Sequence, residues 1–199
     1  MLVKYCQYAK YENVRVTIPR TVVVATDYFD AFIRNNGLEY VLTTEMTDEE
    51  ILSEFVSSTL PYKLREALKA YVRTVSGPLA VRSSSKLEDS HYQPFAGIYS
   101  TYMIPYTEGN EDRQLRLLQK AIKSVYASTY FAASKAYVQS SQNLIAEEKM
   151  AVVIQEVCGT EQDGLFFPTL SGVARSINYY PIGDETPEEG VCNIALGLG

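Results

Sequence analysis

The sequence predicts an α+β fold of two lobes. Apolar residues at helical spacing are concentrated before about residue 140, and β-branched or continuous apolar runs are concentrated after residue 150. The change of character near Ala146 to Met150 places the expected boundary there, between a first lobe at residues 1–147 and a strand-rich second lobe at 148–199.

Val14 to Val24 alternates and then runs β-branched, and Pro19 divides it into two strands or one edge strand and a turn. Thr26 is expected to cap a helix whose Tyr28, Phe29, Phe32 and Ile33 share a face, with Gly37 as its left-handed stop. Thr47 to Glu50 reads T-x-x-E ahead of Ile51, Leu52, Phe55 and Val56, a capping box opening a second helix. Pro61 starts a third, with Leu64, Leu68 and Tyr71 inward and Gly77-Pro78 ending it. Leu79 to Val81 is a short apolar strand running into Arg82 to Gln93 and then Pro94-Phe95-Ala96-Gly97, where helical pattern is absent. From Glu111 to about Gln139, Leu115, Leu118, Ile122, Val125 and Tyr126 follow the helical period, with one break expected. The final runs, at 150–157, 172–178 and 191–196, read as buried strands.

Composition narrows the function. A net charge of −6 argues against a nucleic-acid surface, which needs a basic excess. No run approaches the ~18 apolar residues of a membrane span, and Met1 to Lys10 lacks the apolar stretch of a secretory signal. Cys6, Cys158 and Cys192 are too widely spaced for a disulfide framework or metal knuckles, which points to a reducing, cytoplasmic setting, and Cys158 and Cys192 read as small core residues. His91 is the only histidine, so histidine triads and multi-histidine metal sites have little material. The run Asp184 to Glu189 reads as a solvated loop, and the sixteen tyrosines are scattered rather than gathered into a base-stacking platform.

The segment from Leu79 to Gly97 has the chemistry of a phosphate loop. A strand delivers Arg82, whose planar fork suits phosphate oxygens; Ser83 to Ser85 add hydroxyl and N–H donors, and Gly97 lets the main chain approach a ligand closely. A Ser-rich surface turn with a solvated arginine is the competing reading. Gln155, Glu156 and Val157 form the polar end of a strand, equally consistent with a plain strand terminus and with contacts to a ligand.

Val81-Arg82-Ser83-Ser84 followed by Glu88-Asp89 and Phe95-Ala96-Gly97 resembles the signature of the ATP-binding domain of the phosphoenolpyruvate synthase and pyruvate, phosphate dikinase family. Ile18-Pro19 with Thr21 to Thr26 is similar to the family's V-P-x-G-F-x-x-T segment, with Thr21 and Val22 in place of Gly-Phe. Ala151 to Val157 resembles its A-V-x-x-Q-x-M-V strand, Ser171-Gly172-Val173-Ala174 its S-G-V-A turn, and Gly197-Leu198-Gly199 its G-L-G. The resemblance implies an ATP-grasp-like fold, two lobes around a nucleotide cleft. It also implies that Arg82, with Ser83 and Ser84, grips ATP phosphates under a loop of Phe95, Ala96 and Gly97. Gln155, Glu156 and Val157 would lie at the adenosine, main-chain groups pairing with the base and a carboxylate taking a ribose hydroxyl.

Two departures accompany it. The family's G-G-K segment has no counterpart, since Lys4 and Lys10 lack the glycines, and the residues holding Mg²⁺ and the γ-phosphate follow the G-L-G, where this chain stops. The resemblance therefore implies a domain incomplete at both ends and inactive alone, a cut inside a motif rather than a natural terminus. In the whole protein it implies ATP and Mg²⁺ as ligands, with a phosphohistidine domain and an acceptor domain, pyruvate by default, in the same chain. His91 is expected to be a loop residue and not that phosphocarrier. Sibling phosphotransferases acting on glucans or rifampicin share the domain, and a regulatory module that binds ATP without catalysis is the alternative.

Overall fold

The computed structural model describes residues 17–85, 99–140 and 149–197. The segment from 86 to 98, with His91, Phe95, Ala96 and Gly97, lies outside the described residues, as do residues 1–16 with Lys4 and Lys10. Helix and strand are both present, as an α+β protein requires, and the chain divides into two compact units between Val157 and Cys158.

In the first unit, β1 (Thr21–Val24), β2 (Leu79–Ser85), β3 (Tyr102–Ile104) and β4 (Met150–Glu156) make one sheet in the order β1-β4-β2-β3. Every neighbouring pair is antiparallel. The sequence reading put β4 beyond the lobe boundary, but β4 hydrogen-bonds to β1 on one side and β2 on the other, so the first unit extends to Val157. Only the strand β1 forms in the described part of the Val14 to Val24 stretch; Pro19, which has no N–H to donate, stays just ahead of it.

The helices are α1 (Thr26–Asn36), α2 (Asp48–Ser57), α3 (Tyr62–Val72), α4 (Glu111–Ser128) and α5 (Ala132–Ser140). α1 starts one residue earlier than its sequence suggested: Thr26 is its first helical residue, and Ala25 caps it without a side-chain bond. Gly37 ends it at φ 62°, where a side chain would be strained. The capping box of α2 forms, with Glu50 N–H donating to Thr47 Oγ1 at 3.3 Å and Thr47 N–H donating to a Glu50 carboxylate oxygen at 2.8 Å. Those bonds from Thr47, its backbone N–H foremost, hold the Glu50 carboxyl below its ordinary range. α3 ends at Val72, ahead of Gly77-Pro78, and Leu64, Leu68 and Val72 are its buried residues. The expected break in the long helical stretch separates α4 from α5.

One core joins these helices to one face of the sheet. Phe29, Phe32, Phe55, Tyr126 and Tyr130 interlock, with ring centroids 5.0 to 6.3 Å apart, over Val81, Val152 and Ile154.

The second unit consists of two hairpins, β5 (Thr160–Gln162) with β6 (Leu165–Phe167) and β7 (Leu170–Arg175) with β8 (Val191–Leu196). The first was not anticipated from the sequence, although Asp163-Gly164, both at positive φ, is a strong two-residue hairpin turn. Ser171-Gly172-Val173-Ala174, similar to a family turn but read as strand from Gly172 on, lies within β7. Gly172 is needed there, because a Cβ would stand 2.3 Å from Asn193 O across the ribbon. The expectation of buried strands fails in this unit: Val173 is 57% exposed and Ile194 66%. Cys158 and Cys192 are likewise exposed rather than core. A two-stranded ribbon has no third layer to bury its side chains.

Candidate functional site

Side chains alternate across a strand, so the register of β2 against β4 sorts the residues singled out by sequence onto two faces. Leu79, Val81, Ser83 and Ser85 of β2 share the helix-covered face with Met150, Val152, Ile154 and Glu156 of β4. Ala80, Arg82 and Ser84 share the other with Ala151, Val153 and Gln155, extended by Thr21 and Val23 of β1 and Met103 of β3. On that second face Arg82 is exposed, Val23 is 59% exposed and Met103 61%, Ser84, Ala151, Val153 and Gln155 are half-buried, and Ala80 on the interior strand is buried.

Strand β2 is longer than the sequence reading had it, running through Ser85, so Arg82, Ser83 and Ser84 sit on a strand and not in a loop. The pleat separates them. Arg82 and Ser84 reach the open face, whereas Ser83 turns toward the helices. Arg82 lies opposite Val153, and Gln155 lies opposite both Ala80 and Thr21. Arg82 and Gln155 are therefore diagonal neighbours, about 7–8 Å apart in an antiparallel pair. Among the described residues Arg82 has no carboxylate within ion-pair distance.

Thr21 supplies the polar contact on this face. Its Oγ1 donates to Pro19 O at 3.0 Å and accepts from Gln155 Nε2 at 3.0 Å. No sequence signal marked this pairing, since residues so far apart meet only through the β1–β4 register.

The end of β4 is committed to the protein itself. Glu156 N–H donates to Arg20 O at 3.0 Å and Val157 N–H donates to Pro78 O at 2.9 Å, so neither amide is free for a ligand. The Glu156 carboxylate lies 3.6 Å from Arg20 Nη1, an ion-pair contact too long for a hydrogen bond, and the same nitrogen donates to Thr74 O. Glu156 Oε1 and Tyr71 Oη are buried without hydrogen-bond partners among the described residues. Burial, and then the nearby Glu156 charge, raise the Tyr71 phenol above its ordinary value, with Arg20 opposing.

A cavity of about 390 Å³ opens elsewhere, between the end of α3 and the start of α4, lined by Val72, Arg73, Tyr106 and Gln114 among others. None of the residues that sequence singled out lines it, and its Arg73 is paired with Glu111 at 3.4 Å. The open sheet face remains the candidate site.

The described part of the chain is an α+β domain with an arginine, a serine and a glutamine on one face of an antiparallel sheet. The chain belongs to the family described as pyruvate phosphate dikinase, AMP/ATP-binding domain, whose model matches residues 4–199. It is 31% identical over 157 residues to an uncharacterized phosphotransferase, YvkC, of Bacillus subtilis (strain 168), covering 75% of this chain and 17% of the relative. It is 29% identical over 174 residues to the phosphoenolpyruvate synthase of Aeropyrum pernix, covering 76% of this chain and 20% of that protein. The chain thus spans about a fifth or less of the length of these relatives. No described helix is long and apolar enough to cross a membrane.

Proposed function

We propose that this chain is the ATP-grasp-like nucleotide domain of an ATP-dependent phosphotransferase and that ATP lies on the open face of the four-stranded sheet. The observation that carries the reading is Arg82: an arginine on an interior strand, on the face away from the core, with no acidic partner among the described residues. A guanidinium so placed is available for charge-assisted hydrogen bonds to phosphate. Ser84 stands on the same side of β2, and Phe95, Ala96 and Gly97, which follow it in the sequence, are the residues proposed to cover the phosphates.

In the whole protein the phosphoryl group would pass through a histidine on another domain to an acceptor, pyruvate being the favoured one. This chain's part is to hold and orient the nucleotide, positioning being the main protein contribution to phosphoryl transfer. Mg²⁺ would neutralise phosphate charge there. Among the described residues, however, no three Asp, Glu, His or Cys side chains converge to hold a metal, and no step is assigned to it. The exposed free thiols of Cys158 and Cys192 fit a reducing, cytoplasmic setting.

Arg82→Ala in the whole protein tests the reading. ATP binding or turnover should fall at least about tenfold, the loss of one charge-assisted contact of ~1.4 kcal/mol or more, with thermal stability in the absence of nucleotide changed by less than about 0.5 kcal/mol. A variant that melts well below wild type while its folded fraction binds ATP normally would make Arg82 a structural residue. Tight ATP binding without transfer to pyruvate would identify a regulatory module or a sibling with another acceptor.

A further inference from the structure

We propose that Thr21 locks the side-chain amide of Gln155 so that its Oε1 accepts a hydrogen bond from the adenosine part of the nucleotide, making the pair a specificity device. The inference rests on the reading of the open sheet face as the ATP site.

Thr21 has one hydroxyl proton, and Pro19 O receives it at 3.0 Å. The Thr21 oxygen is then an acceptor only, so the Gln155 atom 3.0 Å from it must be the donor, Nε2. The two ends of a glutamine amide are nearly the same size, and the hydrogen-bond network decides which way it faces. Flipping this one would set two acceptors against each other or cost the bond to Pro19.

With Nε2 held toward β1, Oε1 is left without a partner among the described residues. Strand β4 lies between β1 and β2, and its main chain is occupied by their ladders. The Gln155 amide is thus the hydrogen-bonding group that β4 presents on the open face.

Its polarity indicates which part of the nucleotide it meets. A triphosphate at neutral pH offers no donor for Oε1, whereas adenosine offers the exocyclic amine of the base and the ribose hydroxyls. Arg82, the diagonal neighbour, is all donor and suits phosphate. The two residues therefore order the ligand along the sheet. Nε2 also keeps a second proton that can serve a ring nitrogen, the pairing by which side-chain amides read adenine.

The test compares dissociation constants of ATP, ITP, 2′-deoxy-ATP and 3′-deoxy-ATP for the whole wild-type protein, Thr21→Val and Thr21→Ser. Wild type should prefer ATP to at least one analogue by about threefold to tenfold, the range of one hydrogen bond. A deficit for ITP assigns the donor to the base amine; a deficit for a deoxy analogue assigns it to that ribose hydroxyl. Thr21→Val should erase the preference and Thr21→Ser should keep it. Equal binding of all four nucleotides by wild type, or an equal loss for all of them in Thr21→Val, would overturn the lock while leaving the ATP site standing. Failure of wild type to bind any nucleotide would remove both.

Discussion

The two faces of the four-stranded sheet are built from the same strands and do different work. Toward the helices, Leu79, Val81, Val152 and Ile154 are fully buried and continuous with the aromatic cluster. One residue along each strand, Arg82, Ser84, Val153 and Gln155 look the other way, onto a surface of mixed polar and apolar residues with an exposed margin at Val23 and Met103. Stability is concentrated on one side of the pleat, leaving the other available to carry ligand chemistry. Glu156 shows how strict the division is, since one step from Gln155 its carboxylate falls on the helix side, against Arg20.

The largest expected effect breaks the buried face. Ile154→Ala removes a fully buried side chain and should cost about 2–5 kcal/mol, read as a lower denaturant midpoint. Val23→Ala, at a 59% exposed position, should stay within about 0.5 kcal/mol. Equal costs at the two sites would mean that the open face is covered and is no ligand surface. Arg82→Ala is the inverse case, in which binding is lost while the melting temperature without nucleotide barely moves.

Thr47→Ala lies on neither face and should cost about 1 kcal/mol by removing the α2 cap. Its partner supplies a pH signature. The folded Glu50 carboxyl titrates below its unfolded value, so its contribution is complete above the unfolded carboxylate range, about pH 4.3, and is lost as pH falls through the depressed folded value. The difference in melting temperature between wild type and Glu50→Gln should therefore shrink from pH 7 toward pH 3, and a difference that grows instead would contradict the cap.

Glu156→Gln should have little effect on either stability or binding. Its ion pair with Arg20 is partly solvated, worth less than about 1 kcal/mol, and ATP affinity should not change. A drop in affinity with unchanged stability would show that the carboxylate reaches the ribose after all, and the separation of the two faces at Glu156 would be wrong.

The second unit supplies a further contrast. Its strands carry apolar runs similar to those of β4, yet Val173 and Ile194 are exposed while Val152 and Ile154 are buried. An apolar run records that a segment suits a strand. Whether it is buried depends on how many layers the chain stacks on it. The run at 150–157 is core as its residues suggest, whereas burial of the runs at 172–178 and 191–196 and of Cys192 is beyond what the residues alone support.

By itself the sequence determined what is local: the helical periods of α1 to α4, the left-handed stop at Gly37, the Thr47–Glu50 box, the break before α5, and the motif that places the chain in its family. These depend on residues within a turn or two of one another, where spacing is set by backbone geometry. Only the tertiary structure decided that β4 belongs to the first unit, that Arg82 and Ser84 part from Ser83, and that Thr21 meets Gln155. Each follows from the pairing of distant strands, and a one-residue change of register would send every side chain to the opposite face.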